Sequence, residues 1–151
     1  MDLDNILHKM RRYCAYRERS HKEVRSKLLD LKVYGMNLER VMSQLIEEDF
    51  LNELRYAKSY ASGKFRMNKW GRVKILQGLK GHSISQYCVN KAMKEIDDQE
   101  YFKVLTQLLI KKKRQYNVKD DFTLNQKLIK YALGRGFTYD EIKDAFQQIT
   151  S

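Results

Sequence analysis

The sequence predicts an all-α protein of three tandem three-helix repeats stacked into an elongated, curved array. Three observations carry this. Apolar residues recur at helical spacing: Val24, Leu28 and Leu31 fall at i, i+4 and i+7, and Leu54, Ala57, Ala61 and Phe65 keep the same rhythm, with no strand-length alternation. The 151 residues contain no proline and seven glycines, which suits uninterrupted helices and excludes loop-rich sandwiches and collagen-like chains. The chain also repeats itself around Gly35, Ser83 and Gly136, which lie 48 and then 53 residues apart.

The pattern around these anchors is apolar. Leu28, Leu76 and Ile129 stand seven residues before them, and Leu31, Leu79 and Ala132 four before. Met36, Ile84 and Phe137 stand one after, Val41, Val89 and Ile142 six after, and Leu45, Met93 and Phe146 ten after. Leu28, Leu76 and Ile129 are therefore expected to occupy equivalent buried positions.

The first repeat, residues 1–50, has helices expected over 5–17, 21–33 and 38–48. Ser20 caps the second, Ser20-x-x-Glu23 completing a capping box, and Asn37 caps the third. The second repeat, 51–98, has helices over 51–67, 69–80 and 86–96, with Asn68 and Ser85 as caps. The third, 99–151, has helices over 99–117, 122–133 and 139–149, capped by Asp121 and by Thr138 in a second box with Glu141. The anchor suits the left-handed residue that ends a helix, a place for glycine. Ser83 is expected to be strained there unless the turn shifts to Gly81. The joints Phe50-Leu51 and Ile96-Asp97-Asp98 carry no flexible linker, so stacked neighbours would share an apolar seam. The alternative is one compact nine-helix bundle.

Charge supplies the functional signal. The chain carries 30 Lys and Arg against 19 Asp and Glu, a net +11. Residues 51–98 hold ten bases and four acids, and from Leu54 to Lys94 no acid occurs at all. Solvated helix faces normally mix signs, so a polyanion-facing surface is expected in this repeat. The residues singled out are Arg55, Lys58, Lys64, Arg66, Lys69, Arg72 and Lys74, which lie within twenty residues. Trp70 sits among them; exposed, it would stack on a base of a single strand, and otherwise it packs against Phe65. Tyr56 and Tyr60 read as core or joint residues. The run Lys111-Lys112-Lys113-Arg114 forms a secondary basic patch.

Catalytic constellations are thin. His8, His21 and His82 are not spaced as a metal pair, and no glycine-rich loop leads into Lys-Ser or Lys-Thr. Asp97-Asp98 and Asp120-Asp121 sit at helix starts, where the helix dipole favours acids. No cofactor, metal or catalytic residue is expected. Cys14 and Cys88 read as buried reduced thiols of a cytoplasmic protein. The acidic start lacks a secretory signal, and the longest apolar run, Tyr13-Cys14-Ala15-Tyr16, is too short for a transmembrane helix.

The segment from Phe50 to Tyr60, Phe-Leu-Asn-Glu-Leu-Arg-Tyr-Ala-Lys-Ser-Tyr, followed by Lys69-Trp70-Gly71-Arg72-Val73-Lys74-Ile75 and Ile84-Ser85, resembles the RecX family of RecA regulators. The resemblance covers nearly the whole chain and is most specific in the middle repeat. Glu53 stands where that pattern has Asp, and Ser83 where it has Gly. The resemblance implies three three-helix repeats and a non-enzymatic modulator. Such proteins bind the RecA–DNA filament in its groove, bridge successive protomers, and depress RecA ATPase, strand exchange and coprotease activity. The expected partners are the RecA filament and single- or double-stranded DNA, met by a monomer. Two other readings of the same charge are a free-standing DNA-binding or architectural protein and a scaffold for an acidic protein partner.

Overall fold

A computed structural model describes residues 2–150. Among them nine helices follow one another: α1 (Leu3–Tyr16), α2 (His21–Asp30), α3 (Gly35–Glu47), α4 (Glu53–Arg66), α5 (Arg72–Gly81), α6 (Gln86–Met93), α7 (Asp98–Gln115), α8 (Asp121–Gly134) and α9 (Tyr139–Thr150). No described helix is long and apolar enough to cross a membrane. The all-α class and the three-helix repeat follow directly from this order.

Polar side chains explain most helix starts, because each start leaves backbone N–H groups without intrahelical partners. Asp2, Asp97 and Asp120 accept from the backbone of Asn5, Glu100 and Thr123 at 2.8, 2.9 and 2.8 Å. Asn52 accepts from Arg55 at 2.9 Å. Ser20 with Glu23 and Thr138 with Glu141 close reciprocal capping boxes, and Ser85 accepts from the Cys88 N–H. Three expected caps are displaced. Asp121 is the first residue inside α8 and its neighbour Asp120 caps instead. Asn68 lies ahead of α5, in the connection, where its carbonyl accepts from Arg135. Asn37 lies inside α3, whose cap position falls to Tyr34 with no side-chain bond.

The helix ends correct the repeat register. At the end of α2, Val33 donates to the Leu28 carbonyl and Lys32 to that of Leu29, both at 2.9 Å. This paired 6→1 and 5→2 pattern is a Schellman turn. It recurs with Ile84 to Leu79 and Ser83 to Lys80, and with Phe137 to Ala132 and Gly136 to Leu133. The equivalent residues are thus Lys32, Ser83 and Gly136, at φ 62, 58 and 102°. In the first repeat the turn falls three residues before Gly35. The expected equivalence of Leu28, Leu76 and Ile129 is overturned: Leu28 is buried, while Leu76 and Ile129 are only half-buried. The buried trio is Leu28, Leu79 and Ala132, and Val33 rather than Met36 joins Ile84 and Phe137. Gly35 misled the alignment because it is the glycine nearest the turn and itself has φ 58°, while a lysine performs the turn. Ser83 holds its left-handed conformation itself, with no shift to Gly81.

The chain folds into two compact units, Met1–Tyr60 with Leu79–Ala92, and Ala61–Gly78 with Met93–Ser151. Residues of the middle repeat belong to both. In the first unit α3 packs on α1 and on α2 around Ile6, Met10, Val24, Leu28, Val41 and Leu45. In the second, α7, α8 and α9 pack against one another. Tyr101 anchors that unit, its ring centroid 5.8 Å from Phe65 and 5.2 Å from Phe137. Its hydroxyl accepts from the Arg72 N–H and donates to Glu141, both at 3.0 Å. Burial raises this phenol well above its ordinary range. Gly71 and Gly136 meet back to back, with Gly71 N–H bonded to the Arg135 carbonyl at 2.8 Å and Val73 N–H to the Gly136 carbonyl at 3.0 Å.

Candidate functional site

The basic residues singled out in the middle repeat divide between the two units. Arg55 and Lys58 belong to the first. Arg55 lies near the start of α4, where Asn52 caps the helix, and its guanidinium meets Glu18 at 2.6 Å and Asp49 at 3.1 Å. It also donates to the Asp49 carbonyl at 3.0 Å. These bonds tie α4 to the chain before it and hold the guanidinium above its usual range. Lys58 is half-buried on the same helix. Tyr56 is buried and Tyr60 half-buried, and both rings meet His82 edge-on.

The second unit takes Lys64, Arg66, Lys69, Trp70, Arg72 and Lys74. Arg72 is a framework residue. It pairs with Asp98 at 2.5 Å, reaches Glu141 at 3.9 Å, and lies 4.0 Å over the Tyr101 ring. Arg66 pairs more loosely with Glu100, at 3.7 Å, and stays exposed. The lysines behave differently. Lys64 and Lys74 place their ammonium groups 4.8 and 4.6 Å from the centroid of the Trp70 ring. Trp70 is half-buried, and Lys69 is exposed at φ 59°, its ammonium donating to the Arg66 carbonyl. Phe65 is buried on Tyr101 instead. What the fold assembles here is an indole under two cations, with Arg66 and Lys69 on the same helix end and connection. Such a cluster offers phosphate contacts beside a flat aromatic surface.

The acid-free stretch is thus compensated from outside itself. Glu18, Asp49, Asp98, Glu100 and Glu141 supply the counter-charges to its arginines. Composition cannot reveal that pairing, because each acid lies outside the stretch and arrives through tertiary packing.

The secondary patch separates round its helix. Lys111 and Arg114 are exposed near the end of α7. Lys112 lies 5.5 Å from the Tyr116 ring and 4.8 Å from that of Tyr131, and Lys127 lies 5.6 Å from Tyr116. Lys113 instead lines a groove with Leu109 and Leu128. Lys127 and Tyr131 were not singled out in the sequence. They stand four apart on one face of α8, a signal too common to stand out alone.

No cluster of three or more His, Cys, Asp or Glu able to hold a metal occurs among the described residues. Cys14 and Cys88 are buried free thiols, and burial pushes Cys14 up to about 11, which keeps it protonated at neutral pH.

A family model described as "RecX, second three-helix domain" matches residues 52–93, and one described as "RecX, third three-helix domain" matches 98–146. "Regulatory protein RecX" of Clostridium acetobutylicum is 30% identical over 98% of this chain and 72% of its own length. The proteins of that name from Lactococcus lactis subsp. cremoris strain SK11 and Listeria monocytogenes serotype 4a are 31% and 23% identical. The chain spans only 48% and 54% of those two. The crystal structure of RecX from Lactobacillus salivarius superposes with a TM-score of 0.88 at 23% identity, covering 98% of this chain and 96% of that one. A second structure, of "regulatory protein RecX", superposes at 0.86 and shares the fold.

Proposed function

The chain belongs to the RecX family of regulatory proteins, and from that premise we propose that it binds the RecA–DNA filament and modulates RecA, mostly by inhibition. The observation that carries this reading is 30% identity to a regulatory protein RecX across 98% of the chain. The activities it lowers are ATP hydrolysis, strand exchange and coprotease function, and it acts in the cytoplasm, where DNA repair and the SOS response proceed. It performs no chemistry of its own.

The contact surface in this reading is the Trp70 cluster. Lys64 and Lys74 set their ammonium groups over the Trp70 ring and Lys69 is exposed, whereas Arg55 and Arg72 are held by acids and serve the fold. Arg66, exposed and loosely paired, joins the lysines. Inhibition follows if the bound protein favours one relative geometry of adjacent RecA subunits. Only its differential affinity for that geometry shifts the filament's equilibrium. The Lys112–Tyr116–Tyr131–Lys127 cluster supports direct DNA contact as a second reading, since cations on aromatic rings suit a single strand.

The test is the single-strand-DNA-dependent ATPase of RecA, with and without this protein. A rate that falls as the protein is added supports the proposal; a rate unchanged at stoichiometric protein overturns it. Reversing Lys64, Lys69 and Lys74 to Glu should relieve the inhibition more than reversing Lys94, Lys103 and Lys130, three exposed lysines outside every candidate cluster. Equal relief from both triples would assign the effect to net charge and remove the site. Binding to bare DNA, steeply salt-dependent and indifferent to RecA, would favour the free-standing DNA-binding reading.

A further inference from the structure

We propose that a groove in the third repeat, floored by Leu109, Leu128 and Phe146 and edged by Lys113 and Lys143, docks an acidic, apolar-anchored segment of a protein partner. The groove lies among α7, α8 and α9 and measures about 310 Å³. Leu109 and Lys113 stand one turn apart on α7, Asn125 and Leu128 face it from α8, and Lys143, Phe146 and Ile149 from α9. That volume holds on the order of ten waters, hence one or two large apolar side chains rather than a whole helix face.

The chemistry of the lining selects the occupant. Its floor is aliphatic and aromatic, so what it rewards is removal of apolar surface from water. A phosphodiester chain would meet the two lysines but leave that floor uncovered. A neutral apolar side chain would cover the floor and leave both ammonium groups uncompensated. No acid lines the groove, and among the described residues neither Lys113 nor Lys143 is in an ion pair. The complement is a segment with one or two Leu, Ile or Phe side chains flanked by Asp or Glu. Apolar anchors would set affinity, and the carboxylates orientation and encounter rate. The amide of Asn125 offers a donor and an acceptor to the incoming main chain. This inference rests on the proposed function, in that RecA protomers in the filament present the segment.

The experiment uses the full chain, fluorescently labelled, and RecA polymerised on oligo(dT), with binding read by anisotropy. Lys113→Glu with Lys143→Glu should weaken filament binding about tenfold or more, while Lys94→Glu with Lys103→Glu, the same charge change outside the groove, should weaken it less than about threefold. Asn125→Trp, an exposed position where a bulky ring would fill the groove, should reproduce the loss without a charge change. Equal losses from the two charge reversals would overturn the proposal, as would undiminished binding by Asn125→Trp. The groove reversal should leave binding to bare oligo(dT) unchanged; a parallel loss there would make these lysines phosphate contacts and also overturn it. If the wild-type chain binds the filament and the groove variants match it, the groove alone is rejected; if the wild type does not bind at all, the proposed function falls with it.

Discussion

Two glycine-to-alanine substitutions, Gly71→Ala and Gly63→Ala, should shift stability in opposite directions. At Gly71 an added Cβ would stand 2.3 Å from the carbonyl carbon and oxygen of Gly136 and 2.4 Å from the Phe137 nitrogen. These are backbone atoms, with no flexible side chain to swing aside. Restoring ordinary contact requires the two segments to part by roughly 1 Å. That opening breaks the Gly71–Arg135 and Val73–Gly136 hydrogen bonds, now 2.8 and 3.0 Å. Each is worth about 0.5–1.5 kcal/mol, and more where a buried group is left unsatisfied. Phe137, buried beside Tyr101, moves with the backbone. The total comes to about 3–5 kcal/mol of destabilisation, or roughly 10–15 °C in melting temperature for a chain of this size. Gly63 lies within α4 with nothing within 4 Å of its would-be Cβ. Alanine there gains helix propensity, about 0.5–1 kcal/mol. Thermal and urea melts followed by circular dichroism at 222 nm measure both. A Gly71→Ala protein melting with the wild type would refute the backbone-contact argument; loss of stability in Gly63→Ala would refute the reading of open space.

Other outcomes follow from the same structure. Leu28→Ala and Leu79→Ala should each cost about 2–5 kcal/mol, whereas Leu76→Ala and Ile129→Ala should cost distinctly less; equal costs in urea melts would restore the register read from sequence. Ser83→Gly and Lys32→Gly should each stabilise by about 0.5–1 kcal/mol by relieving positive φ, and Gly136→Ala should destabilise, so melts in which Ser83→Gly weakens the fold would contradict the Schellman assignment. Glu23 supplies a pH test. Burial by itself would raise its carboxyl, but the Ser20 N–H and the Arg17 guanidinium outweigh that and hold it below the usual range. A carboxylate with a depressed folded-state pKa adds stability that is present above its unfolded value and lost as pH falls through the folded one. Glu23→Gln should therefore be less stable than wild type at neutral pH, the gap closing between about pH 5 and pH 3; a gap constant across that window would exclude the charge as its source.

Helical periodicity, the missing prolines and the capping boxes were legible in the sequence because each is a local property of a few neighbouring residues. Ser20 and Thr138 cap helices wherever those helices pack, and the Phe50–Ile75 motif identifies the family without coordinates. The first repeat's register was not legible, because Lys32 takes a left-handed turn that glycine would ordinarily signal. The candidate surface was only half legible. The count of bases from Leu54 to Lys94 points to the middle repeat, yet charge along a chain does not show which cations are already paired. Packing gives Arg55 to Glu18 and Asp49, gives Arg72 to Asp98 and Tyr101, and sets Lys64 and Lys74 over Trp70. It likewise turns Lys112 toward two tyrosines and its neighbour Lys113 into an apolar groove. Local spacing determined the helices and where most of them begin. Glu18, Asp98 and Glu141 reach their arginines from elements distant in sequence, so only the tertiary structure decided which of these charges are tied into the fold.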